Sequence, residues 1–518
     1  MASSWMRSFF QAAHRGSRRR RIHVRKPRAV SRGIELFSRR LGVEPLERRV
    51  LLTVTSSFAA GLLTVSSNAA DNIAIEINGG FVQINNAAPG TGQLAAAVVT
   101  QLSISSGPGG GTIDLSQLVT GALRDLQSGQ IQGSGATTLT APLNQANTWL
   151  LTGANQGSVD VFTFQGVQNL TGGNQSDSFI YESGGSVTGT ISEPAGGSVT
   201  LTGSTIAIPG ALNTQGGNVT VQSPLPGLSS NNSFTVSGSI DTQGGALAVF
   251  LSDPVGSGDS FNVSGSIYTQ GGNLTVDADN IALDTESGPA TLSTRDLASV
   301  AGNQATDPSV GNSGNISLSG INITLGSDTG DEASANLYSQ IEQTNQFTTG
   351  TIDLTASEAA GAGTGNGFNF PVLPKLDSTQ TGITLNTAEV AGGAVTFTAI
   401  ASSLHASSAP PGSNAAATVI QTGINYLQNF SIIGGLAVSS SQATIDLSAA
   451  SSITASSFAA MATATSDAET KPISIDLGVA IAIVNTDAEV NAAGHIATTG
   501  DTTLDAGAIN TMSAIANA

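Results

Sequence analysis

One unit is written three times between residues 206 and 276, and this limits what the chain can fold into more than any other feature of its sequence. Ile206 to Val221 reads IAIPGALNTQGGNVTV, Phe234 to Phe250 reads FTVSGSIDTQGGALAVF, and Phe261 to Val276 reads FNVSGSIYTQGGNLTV. Gln215, Gln243 and Gln270 therefore recur after 28 and then 27 residues. A period of that length marks one structural turn or blade, copied. In the third copy Phe261, Val263, Gly265 and Ile267 alternate with Asn262, Ser264 and Ser266, and Leu274 and Val276 resume the alternation after Thr-Gln-Gly-Gly. A two-residue period interrupted by glycines predicts strand, glycine corner, strand.

A single copy cannot hold itself folded. Ordering it costs about 30 kcal/mol or more in chain entropy, while its five or so large apolar side chains contribute about 2 kcal/mol each on burial. Copies laid on one another pair every strand with a neighbour and share one interior, which is how repeat arrays become stable. The outward Ser, Thr and Asn positions then align in ladders. Coils of about 20 to 28 residues over residues 181–518 predict ~12–17 turns and a rod of ~60–80 Å.

Composition supports a stack over an ordinary globule. Charged residues make up only 10% and aromatic residues 4%, with 62 glycines and no cysteine. A chain so poor in charge must hide its strand edges, and stacking leaves only two ends to cap. Charge is also divided sharply. Of the 18 Lys and Arg, 14 lie in residues 1–50 beside three acids (Glu35, Glu44, Glu47), whereas the remaining 468 residues carry 33 acids and four bases. A short basic head on an acidic body reads as a sorting segment; nucleic acid is not an expected partner, because the body repels phosphate. No run of 18 apolar residues exists, so no transmembrane helix is expected. The absence of cysteine fits an exported protein that relies on no disulfide.

At Glu44 to Thr53 the chain reads EPLERRVLLT. Leu46, Glu47, Arg49, Leu51 and Leu52 resemble the LEPR-XLL motif at the N-terminus of very large, repeat-rich bacterial surface or secreted proteins, with Arg48 where that family usually has proline. The resemblance implies an export or sorting segment that engages export machinery, and a repeat body outside the cell. The segments at 61–86 and 102–118, and Gly172, Gly173, Asp177 and Phe179 in NLTGGNQSDSFIY, resemble degenerate acidic glycine-rich nonapeptide modules, in which the aspartate binds calcium. The corners and alternating strands of IALDTESGPATLSTRDL and GNISLSGINITLG resemble the right-handed parallel β-helix repeats of filamentous-haemagglutinin-type adhesins. The right-handed crossover preference points the same way.

The fold class expected is therefore all-β, a right-handed parallel β-helix (β-solenoid) preceded by a disordered basic N-terminal segment. Residues 1–53 form the basic sorting segment, 54–180 a β-rich degenerate glycine/aspartate repeat region, and 181–518 the parallel β-helix, expected to continue beyond Ala518. Residues 327–347 and 358–369 are expected to bulge out as loops, and Ile473 to Val484, apolar on every odd position, to form a strand.

The search for chemistry returns little. No nucleophile elbow, phosphate loop or dinucleotide fingerprint stands in a strand-turn-helix setting, so no catalytic or cofactor-binding residue is assigned. Candidate metal residues are Asp177 and the acidic group Asp328, Asp331 and Glu332, with calcium as the ion; the competing readings are a coil-closing turn and a solvated turn. Asp71 and Asp114 are weaker calcium candidates. Asp277, Asp279 and Asp284 are placed outward, and His405 and His495 on the surface. The function expected is a non-catalytic extracellular or cell-surface stalk, an adhesin or matrix element whose partners are surface or matrix glycans or proteins. The alternatives are a polysaccharide-active β-helix lyase or hydrolase and a calcium-assembled surface-layer module.

Overall fold

The structure, a computed structural model, describes residues 54–118, 123, 125–194, 196–224, 231–251, 258–283, 290–294, 314–326, 335–338, 340–343, 346–349, 352–360, 376–408, 436–471 and 481–514. The LEPR-XLL-like residues Leu46, Glu47, Arg49, Leu51 and Leu52 lie outside them, as do Asp284, Asp328, Asp331, Glu332, the 361–369 loop and the 473–480 part of the last strand assignment.

Strands make up nearly all the regular structure. Among the described residues the one helical turn is a 3-10 turn at Ala96–Val98, and no helix is long and apolar enough to cross a membrane.

Each copy of the repeat contributes three strands. In the second copy these are Ser233–Val236, Ser239–Asp241 and Leu247–Phe250; in the third, Ser260–Val263, Ser266–Tyr268 and Leu274–Asp277. The alternating run before Thr-Gln-Gly-Gly is thus two strands, divided at Ser264–Gly265. The alternation survives because the corner uses two residues: Phe261, Val263 and Ile267 all remain buried. At that corner the amides of Ser264 and Gly265 both donate to the Val236 carbonyl, and a β-carbon on Gly265 would overlap the carbonyl oxygen of Gly238.

The three strands of successive units pair parallel and in register, forming three ladders that the chain visits in the same cyclic order. One ladder is an eight-stranded sheet from Thr205–Ile208 to Ile481–Ala492. A second begins at Ile73–Asn78 and includes Asn169–Thr171, Ala211–Asn213, Ser239–Asp241 and Ser266–Tyr268. The third runs from Thr148–Gly153 through Asp177–Tyr181, Val219–Gln222 and Leu247–Phe250 to Thr502–Ala514. Equivalent side chains meet: Phe234 on Phe261, Val236 on Val263, Ile240 on Ile267 and Val249 on Val276. One buried apolar cluster extends from Leu63 to Ala464. Outside, the expected ladders form, with Ser260 Oγ donating to Ser233 Oγ at 3.2 Å and Asn322 Nδ2 to Asn280 Oδ1 at 3.1 Å.

The Thr-Gln-Gly-Gly element is a tight turn in which each glycine has its own reason. Gly217 N–H donates to the Thr214 carbonyl, closing the turn. Gln215, Gln243 and Gln270 stand at φ +49, +51 and +50°, and the next residues Gly216, Gly244 and Gly271 at φ +103, +107 and +105°, where a β-carbon is strained. The second glycine is required by packing instead, since a β-carbon on Gly245 would overlap the Gly217 carbonyl oxygen one unit below. The threonine is fully buried, and its hydroxyl donates to the carbonyl of that second glycine: Thr214 to Gly217, Thr242 to Gly245, Thr269 to Gly272.

Two expectations are corrected. Part of the expected 327–347 loop forms strands, Ala335–Tyr338 in a ladder and Gln340–Gln343 in an antiparallel hairpin with Gln346–Thr349, and the 358–360 part of the expected 358–369 loop ends the paired strand Ile352–Ala360. Among the described residues the turns also do not stay at 20 to 28 residues. Stacked partners are 42 residues apart between Asn280 and Asn322 and 62 apart between Thr379 and Ser441, so there are fewer turns than expected. In the 62-residue turn part of the extra length is strand: Ala388–Ser408 and Ser452–Lys471 pair along nearly their whole span. Beyond the stacked Phe397 and Phe458 their inward positions become small (Ala399, Ala401, Ala460, Ala462, Ala464), and a buried hydroxyl seam of Ser403, Ser439, Ser441 and Ser466 joins the facing sheets.

Toward the N-terminus the pattern changes. Leu62–Ser67, Gln101–Ser105, Ser128–Gln132 and Phe162–Gln165 form a parallel ladder, which an antiparallel strand Gln156–Val159 joins to Thr148–Gly153. Trp149 packs there between Phe164 and Phe179, ring centroids 5.9 and 5.5 Å away.

Candidate functional site

The densest buried polar chemistry among the described residues gathers around Asp177. This residue opens its strand at the corner that Asn147 occupies one turn below, and it is fully buried. Its Oδ1 accepts the Asn147 backbone N–H at 2.6 Å and Asn147 Nδ2 at 3.2 Å, and its Oδ2 accepts Gly173 N–H at 2.7 Å. The glycines of the GGNQSD run thus let the loop fold over its own carboxylate.

A second buried acid, Glu193, stands beside it. Its position follows from the repeat: along the corner column, Gly172 and Glu193 precede Thr214, Thr242 and Thr269, each backbone bonded to the next turn. Glu193 occupies the place of the later threonines, and its carboxyl group extends into the space that Gly172 leaves free. A β-carbon on Gly172 would overlap both Glu193 Oε2 and Asp177 Oδ2, and one on Gly197 would overlap Glu193 Oε1. Glu193 is wholly buried, and no N–H donor or hydroxyl reaches either oxygen. Burial, then the Asp177 charge and the bond to its carboxylate, push the Glu193 carboxyl up to about 9. Asp160, bonded to Gln145 Nε2 at 2.9 Å, is raised in the same direction, by burial first and by Asp177 second. No Lys or Arg is present among the residues with described side chains to neutralise these acids. A carboxyl group raised that far is neutral near pH 7.

Calcium takes six or more oxygens. Asp177 and Glu193 bring four, two of which already accept N–H bonds, and among the described residues no group of three His, Cys, Asp or Glu converges. The set suits a proton better than a calcium ion. Nor does it suit hydrolysis, because both carboxyl groups are sealed from any polymer.

The other sequence candidates scatter. Asp114 is a local turn acceptor for Ser116 N–H at 2.8 Å, Asp71 is buried and receives the Ser67 hydroxyl, and His495 is exposed. The side chain of His405 lies outside the described residues. Asp279, expected to face outward, is buried: its Oδ2 accepts the amides of Gly258 at 2.7 Å and Asp259 at 3.1 Å. Asp259 in turn accepts Asn232 N–H at 2.6 Å. This Asn232, Asp259, Asp279 column was missed, although aligning the repeats places all three two residues before an inward Phe or Ile (NSF, DSF, DNI).

Comparison with family models, with curated proteins and with solved structures returns no match.

Proposed function

We propose that this chain is a non-catalytic, exported right-handed β-solenoid, a stalk at the cell surface or in an extracellular matrix that makes many weak contacts with glycans or proteins. The observation that carries this reading is the in-register parallel pairing of all three strands of each repeat, which pairs each strand edge with the next copy and extends each ladder by one strand per repeat. At ~4.8 Å per strand the eight-stranded ladder accounts for ~35 Å of length. The outer ladders are mostly Ser, Thr and Asn, which suits polyvalent contact, and the basic LEPR-XLL-like head suits export.

The experiment is antibody labelling of cells that make the chain. Labelling of intact cells supports a surface stalk; labelling only after permeabilisation overturns it. The polysaccharide-active alternative predicts new reducing or unsaturated ends when the full chain is incubated with pectin, alginate or sulfated glycans, and their appearance overturns the non-catalytic reading.

A further inference from the structure

A groove of about 500 Å³ crosses the outer face of the N-terminal parallel ladder. Its floor is built by register. Ser105 pairs with Gln132, Gln132 with Gln165, and Gln165 with Gln156, so one row of hydroxyl and amide side chains crosses four adjacent strands. A second row, Ser103, Gln130 and Thr163, runs beside it. The intervening residues Ile104, Ile131 and Phe164 are buried in the core beneath, which fixes the strands that carry both rows. Gln130, Gln132, Thr163 and Gln165 are exposed.

None of the groove-lining side chains is ionisable, and that selects the occupant. A polyanion needs bases, and the acidic body repels it; a cationic peptide needs acids, which the groove lacks. Gln132 Nε2 donates to the Gly133 and Gln165 carbonyls at 3.1 and 3.4 Å and the Thr163 hydroxyl to the Gly129 carbonyl at 3.1 Å, which holds these side chains in place and leaves their oxygens as acceptors. Beside them, the amides of Gln130 and Gln165 carry both donors and an acceptor. Such a mixed row matches the vicinal hydroxyls of an uncharged sugar. Neighbouring side chains along a row are ~4.8 Å apart, a stride close to that of successive rings in an extended β-linked glycan.

We infer that this groove binds an extended neutral polysaccharide laid across the strands, with Gln132 and Gln165 as its central contacts. The inference rests on the surface-stalk reading and names a partner class for it. The buried Phe164 offers no open ring for stacking, so each site is weak, and avidity comes from many copies of the protein along one glycan.

The test titrates the full chain with cellohexaose, xylohexaose and mannohexaose, with hexagalacturonate as the acidic comparison and an uncharged Ser/Gly dodecapeptide as the peptide comparison. Gln132→Ala and Gln165→Ala are checked first for unchanged melting, with Thr235→Ala, on a different ladder, as control. The expected result is binding of at least one neutral hexasaccharide, weakened fivefold or more by each glutamine variant and unaffected by the control. Binding of none of the three, binding insensitive to both glutamine variants, or binding of hexagalacturonate or the peptide at this groove overturns it. If only permeabilised cells label with antibody while the neutral sugar still binds through Gln132 and Gln165, the stalk reading falls and the groove stands. If intact cells label and no neutral sugar binds, the reverse holds.

Discussion

Phe261 lies on Phe234, ring centroids 5.5 Å apart and planes 28° from parallel, in strands paired residue for residue. Each ring is therefore the floor or ceiling of its copy, and neither packs independently of the other.

Replacing Phe261 with Ala is expected to destabilise by about 3–5 kcal/mol through lost burial and a cavity shared by two turns. A double-mutant cycle with Phe234→Ala is expected to show coupling of about 1 kcal/mol. Urea denaturation of the two single variants and the double variant measures both.

The two glycines of the turn fail differently when substituted. Gly244→Ala places a β-carbon at φ +107° in otherwise open space and is expected to cost about 1–2 kcal/mol. Gly245→Ala drives a β-carbon into the Gly217 carbonyl, forcing two turns apart, and is expected to cost more. Melting temperatures of the pair check the order; equal losses would show that the turns are not held at this spacing.

Because Glu193 is raised from 4.5 to about 9, the folded chain keeps a proton that the unfolded chain releases between those values. Stability from this group is full below about pH 4.5 and is lost as pH rises toward 9, by up to about 1.4 kcal/mol per pH unit. Glu193→Gln, neutral throughout, is expected to be more stable than the parent at pH 8 and to flatten the difference in melting temperature between pH 5 and pH 8. An unchanged pH slope in this variant would mean that Glu193 does not hold the proton.

Ser441 sits at the centre of the hydroxyl seam, donating to the Thr465 carbonyl at 2.7 Å and meeting Ser403 and Ser466, each at 3.0 Å. Ser441→Ala leaves those buried partners short of bonds and is expected to cost about 1–3 kcal/mol, whereas Ser317→Ala on the outer face is expected to cost little. Thermal denaturation of both variants makes the comparison.

How much of this was legible in the sequence depended on whether the repeat was intact. Phe234 and Phe261 announce their stacking, and Thr-Gln-Gly-Gly announces its corner, because the same residues recur at one spacing. Gly265 concealed a corner inside a continuous alternation, since two residues of turn preserve which side faces in. Glu193 was invisible as a member of the threonine column because Glu-Pro-Ala-Gly-Gly shares only its glycines with the repeat. The far half of the strand Ala388–Ser408 reads as a weak pattern because beyond Phe397 its inward residues are Ala399, Ala401 and Ser403, whose burial leaves little contrast with the polar residues between them.

The in-register match of Phe234 with Phe261 has a genetic corollary. A duplicated stretch of coding sequence spanning one such unit would present, above and below, faces that its neighbours already fit, so lengthening by recombination needs no compensating change elsewhere. The length of this part of the stack is then set by how often that one segment of the gene is copied.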